Sequence, residues 1–111
     1  MNIAESVGTC LSKYVNFEGR ASRSEYWWFM LAIFLATLVL SFISILLGTV
    51  VYLGLILPMI AAAARRLHDI GKSAWFLLVG LIPLVGGLIL LYFHVLPGNE
   101  GANDYGDAPP A

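Results

Sequence analysis

Charge is what this chain has least of. Only 12% of its 111 residues are Asp, Glu, Lys or Arg, about half the share of an ordinary soluble domain. From Tyr26 to Ala64, 39 residues pass without an Asp, Glu, Lys, Arg or His. A second uncharged run, Ala74 to Phe93, adds 20 more. A chain this short cannot hide so much apolar surface in water, because small domains bury the smallest fraction of their area. Other absences matter too. Cys10 is the one cysteine, which excludes an internal disulfide and leaves the redox compartment unread. No basic residue precedes Lys13, so the positive flank of a cleavable signal is missing and the first spanning helix is expected to direct insertion. No ionisable acid, His or Arg falls at mid-depth in an apolar run, which removes the usual mark of ion-coupled transport.

What is present is apolar length. One helix over 26–64 would be about 58 Å long, against a hydrocarbon core of about 30 Å, so the run must reverse and cross twice. The second run is long enough for another crossing. The expected fold is all-α: a polytopic transmembrane helical bundle, one integral domain over 1–111, with spans at about 26–47, 50–64 and 74–95. Four short spans are the alternative. Ser22 and Glu25 have capping-box spacing, so the first span should begin near Arg23, and Tyr26, Trp27 and Trp28 follow at headgroup depth. The reversal is expected at Gly48-Thr49 or a few residues earlier. Arg65 and Arg66 would snorkel if the second span is short, and Pro58 should kink it.

Residues 65–73 read as a charged loop, with Arg65 and Asp69 spaced to pair across one helical turn. Gly71 suits a left-handed helix end and Ser73 an N-cap. Pro83 and Gly86-Gly87 interrupt the last run, which either kinks or turns back as a re-entrant hairpin. A hairpin needs its open backbone shielded, which favours the kinked span. Before the spans, Ile3, Val7, Leu11 and Tyr14 share one helical face. That helix lies on the membrane surface or packs on the bundle. The tail, 97–111, is rich in turn-forming residues and carries three acids and no base.

All six Lys and Arg residues lie before the first span or between the second and third. Positive residues gather on the cytoplasmic side, so three spans place the N-terminus and the 65–73 loop inside and the tail outside. A hairpin would bring the tail back inside, where Asn103 and Tyr105 would join the basic motifs.

Candidate binding residues are Arg20, Arg23, Glu25, Arg65, Arg66, His68, Asp69, Lys72 and Trp75. The basic ones suit anionic headgroups, each worth about 1 kcal/mol near such a surface. Topology and anchoring, which nearly all membrane proteins need, are the favoured explanation, because the basic residues are few and not densely clustered. Glu25 and Asp69 offer a third role, tying the first span to the 65–73 loop through the arginines. Ser73, His68 and Asp69 contain the residue types of a catalytic set but also serve as helix-end chemistry, so no catalytic role is assigned. His68 and His94 stand at opposite ends of the third span, too few and too far apart for a metal site. Thr37, Ser41 and Ser44 share a face of the first span, where they line a pore in an oligomer or pack helices closely; packing is favoured.

The stretches Phe17 to Phe29 (F-E-G-R-A-S-R-S-E-Y-W-W-F) and Arg65 to Trp75 (R-R-L-H-D-I-G-K-S-A-W) carry a resemblance. With Ile82, Pro83, Gly86 and the tail's Gly101, Asn103, Tyr105, Gly106 and Pro109, the chain resembles the bacterial inner-membrane family catalogued as domain of unknown function 805. The resemblance covers roughly Cys10 to Pro109. It implies a bacterial cytoplasmic-membrane protein of three or four spans, and it brings no activity. The sequence is thus read as a non-enzymatic membrane component that binds lipid headgroups or a partner protein at its cytoplasmic face. The alternative is an oligomeric small-solute channel or transporter. Its expected partners are the bilayer, a membrane protein or further copies of itself; neither cofactor nor nucleic acid is expected.

Overall fold

The computed structural model describes residues 2–109. Helix α1 (Ile3–Ser12) is followed by two long helices, α2 (Arg23–Ile43) and α3 (Ile45–Asp69). A 3-10 helix (Ala74–Leu81) and helix α4 (Val85–Val95) come next. With 21 and 25 residues, α2 and α3 are about 32 and 38 Å long. Both are long and apolar enough to cross a bilayer. They pack side by side, and their outward faces are studded with exposed Phe34, Val39, Phe42, Leu46 and Leu53. In water this belt would be a liability; in lipid it is the ordinary solvent-facing surface.

The first long helix starts where its cap predicts. Ser22 accepts from the Glu25 backbone N–H, while the Glu25 carboxylate turns inward instead of closing the capping box. The reversal falls at Ser44, four residues before Gly48. Ser44 is extended, ends α2 and caps α3 by accepting from Leu47 N–H. Gly48 is spent on packing: a Cβ there would run into Ser41 of α2.

Helix α3 continues through the stretch expected to be a loop. Arg65, Arg66, His68 and Asp69 are all helical, and Gly71 at φ +78° ends the turn. Pro58 sits inside α3 without breaking it. A proline leaves the carbonyl four residues earlier without its donor. That carbonyl belongs to Gly54, and the Tyr14 hydroxyl donates to it. The segment after α1 thus supplies the partner that a membrane helix must find for a freed backbone group. Helix α1 packs on α2 through Ser6 and Cys10, leaving Ile3 and Leu11 exposed.

The largest departure concerns 74–95, where the favoured single kinked helix does not form. The chain doubles back at Ile82-Pro83-Leu84, with Leu84 at φ +64°. Phe76 meets Phe93 edge to face at 6.0 Å, and Gly86 approaches the Val79 carbonyl so closely that no Cβ fits. The turn's backbone is shielded by itself: Ile82 N–H donates to Val79 O at 3.0 Å and Gly86 N–H to Ile82 O at 3.0 Å. Each arm is about 16 Å long, half a bilayer. The tail therefore returns to the end of the bundle that holds Arg20 and Asp69.

Candidate functional site

At that end, three arginines and two acids are folded inward. Arg20 lies just before α2, Glu25 in its first turn, and Arg65, Arg66 and Asp69 on the last turns of α3. All five are buried, Arg65 and Arg66 completely. Arg65 pairs with Glu25. Asp69 pairs with Arg20 at 2.9 Å and with Arg66 at 2.8 Å. The expected Arg65–Asp69 pair does not form, because Arg65 faces α2 while Asp69 sits between the other two guanidinium groups. Glu25 and Asp69 thus do tie the first long helix and the segment that enters it to the end of α3.

The remaining guanidinium donors hold the tail. Arg20 donates to the carbonyls of Asn99 (2.6 Å), Gly101 (2.6 Å) and Gly106 (3.2 Å). Arg66 donates to His94 O and Leu96 O. Asn99 N–H returns a bond to Asp69 O at 2.7 Å, and Gly98 packs so tightly on the Asp69 carboxylate that no side chain fits there. Asn103 donates to His68 O at 2.9 Å, and its own Oδ1 accepts from Tyr105 N–H. Tyr105 then stacks flat on the His68 ring, 4.1 Å between centroids. These bonds account for the tail's Asn and Gly residues as turn chemistry that closes on a cationic hub.

His68 Nδ1 bonds Gly19 O at 2.8 Å, the Asp69 carboxylate is taken by two arginines, and the Ser73 hydroxyl caps Trp75 N–H. The three residues therefore do not assemble into a relay. Lys72 lies over Phe76 and Phe93, 5.5 and 5.1 Å from their centroids. Arg23 and Trp75 remain at the surface, Trp75 77% exposed. The candidate residues thus divide: Arg20, Glu25, Arg65, Arg66, His68 and Asp69 form the buried hub, while Arg23, Lys72 and Trp75 stay outside it. Sequence reasoning missed Gly98, Asn99, Leu96 and His94 as parts of the hub. Their contributions are mostly backbone carbonyls and close approach, which residue type does not advertise.

Cys10 sits against this hub, its thiol 3.8 Å from the Glu25 carboxylate. Burial, with the Glu25 charge second, pushes the thiol up to about 11. Only the thiolate reacts with alkylating agents. From an ordinary value of 9.0, the thiolate fraction at pH 8 falls roughly a hundredfold. Cys10 should accordingly label with iodoacetamide in denaturant at least that much faster than in folded protein in micelles; comparable rates would contradict the burial.

With this arrangement in view, the relatives are informative. A family model described as a protein of unknown function (DUF805) matches residues 14–107. The chain belongs to that family. The match spans every hub residue from Arg20 to Gly106. Inner membrane protein YhaH of Escherichia coli K12 is 41% identical over 110 residues, covering 89% of this chain and 91% of the relative. Inner membrane protein YhaI of the same strain is 39% identical over 106 residues, covering 89% and 90%. No solved structure matches. The inner-membrane relatives and the two long apolar helices together make this a membrane protein.

Proposed function

We propose that the protein is a non-enzymatic component of the inner membrane whose hub end faces the cytoplasm and binds anionic lipid headgroups at Arg23. In this reading α2 and α3 cross the bilayer, and the 3-10/α4 hairpin enters it half-way from the hub end. The lysines and arginines then all lie on one side, as the positive-inside rule requires. The observation that carries the binding role is a cavity of about 490 Å³ at the start of α2, lined by Ser22, Arg23, Ser24, Asp69, Gly98 and Asn99. Its acid is neutralised by Arg20 and Arg66, while Arg23 is the exposed charge. Three buried arginines against two buried acids leave the hub one positive charge in excess, which adds to the attraction.

The channel alternative rests on Thr37, Ser41 and Ser44. Thr37 and Ser41 share a groove between α2 and α3 with Tyr52 and Met59, Ser41 stands against Gly48, and Ser44 caps α3. Their positions within one chain support packing.

In micelles holding equal phosphatidylglycerol and phosphatidylcholine, native mass spectrometry should show phosphatidylglycerol enriched on the protein. Arg23→Ala should reduce that enrichment about fivefold, the equivalent of about 1 kcal/mol for one interfacial cation. No enrichment in the parent would sink the lipid reading and leave a protein partner for the same face.

A further inference from the structure

A second pocket borders the hub at His94, whose carbonyl Arg66 holds. It holds about 310 Å³ between α2, α3 and the hairpin, and Trp27, Ala63, Gly87, Leu90, Leu91 and His94 line it. Its volume is at the low end for a ligand site. Ala63 and His94 are buried at its floor, while Leu91 and Trp27 are exposed at its mouth. Apart from Trp27 and Tyr26, whose ring centroid lies 4.5 Å from that of His94, the walls are hydrocarbon and the His94 ring.

That ring is the unexplained group. His94 is 4% exposed. Its Nδ1 lies 2.6 Å from Leu90 O, a carbonyl that can only accept, so the proton of the neutral ring is on Nδ1 and Nε2 is left as an acceptor. Among the described residues Nε2 has no hydrogen-bond partner. The Ala63 carbonyl is also close to the ring, and two acceptors cannot satisfy one another. A buried polar atom without a partner is unfavourable, and a donor entering the pocket relieves it.

We infer that this pocket binds the ammonium head of a zwitterionic phospholipid, with Nε2 of His94 as its acceptor. The depth of the pocket supports a lipid. From Gly87 to His94 the α4 wall runs seven residues, about 10 Å. It places the acceptor at the level of Trp27, whose indole donates to His94 O at 2.9 Å, and the apolar wall below it. Arg66 is fully buried and holds the His94 carbonyl, while the exposed Arg23, which holds the Val95 carbonyl, offers a headgroup phosphate a cation. An ammonium carries three donors and can meet Nε2 and the Ala63 carbonyl together, which a single hydroxyl hydrogen cannot.

The test keeps lipid charge constant. Parent protein in micelles with equal phosphatidylethanolamine and phosphatidylcholine is examined by native mass spectrometry. Phosphatidylethanolamine should be retained roughly three- to tenfold more, the gain of one hydrogen bond made to an otherwise unmet acceptor. Stepwise N-methylation of the head should erode the preference. His94→Phe removes the acceptor, and Gly87→Leu fills the pocket at a position where an added Cβ meets open space. Both variants should retain the two lipids equally. Equal retention by the parent overturns the proposal, and so does a preference that survives in Gly87→Leu. Neither outcome bears on phosphatidylglycerol at Arg23, because both lipids here are neutral overall.

Discussion

Asp69→Ala should unfold the polar end of the molecule. Asp69 is 3% exposed, and its carboxylate is the shared counter-ion of Arg20 and Arg66. Removing one partner of a buried ion pair leaves an uncompensated buried charge, a loss of about 3–5 kcal/mol; here two guanidinium groups lose their acid at once. The consequences extend beyond the pair. Arg20 and Arg66 together hold five carbonyls between His94 and Gly106, three of them in the tail, so releasing them should release the tail. The expected result is a lower unfolding midpoint in micelles, together with rapid proteolysis between Pro97 and Tyr105. A variant as stable as the parent, with its tail still protected, would show that the hub does not hold the tail.

Glu25 and Arg65 should behave differently, because their pair is separable from the rest. Glu25→Leu alone strands Arg65, which is fully buried, and a loss of about 3–5 kcal/mol is again expected. Arg65→Met alone strands the carboxylate, with a similar loss. The double variant Glu25→Leu/Arg65→Met should recover most of it, because well-packed apolar residues of similar volume often replace a buried pair at little cost. Recovery is favoured here for a specific reason: Nε and Nη2 of Arg65 find no hydrogen-bond partner in the hub, so the native pair is imperfectly satisfied. Unfolding midpoints of all four proteins close a double-mutant cycle. Additive losses would mean that the two side chains do not depend on each other.

What the sequence made legible was local or compositional. The start of α2 at Arg23, the glycine end at Gly71 and the cap at Ser73 each depend on a few neighbouring residues, and each forms as expected. The two long apolar helices follow from uncharged length. The missed features depend on distant partners. Spacing alone made Arg65 and Asp69 a plausible pair, but the acids that arginines choose are set by how α2 lies on α3. Pro58 announced a freed carbonyl without saying that Tyr14, 40 residues from Gly54, would fill it. The doubling back of 74–95 depends on Gly86 meeting Val79 across the turn. In sequence that glycine reads equally well as the flexible point of a kink. The tail's turn residues were evident, but the place where they dock was not, since docking needs the hairpin to bring them back.

The hairpin returns the tail to the end of the bundle that carries the arginines. The most direct test of that return is topology in the intact membrane. A reporter active only in the cytoplasm, and one active only outside, should be fused in parallel after Gly71 and after Ala111. Cytoplasmic activity is expected at both positions. Activity outside at Ala111, with Gly71 inside, would mean that 74–95 crosses the bilayer and that the hub in the native membrane lacks its tail.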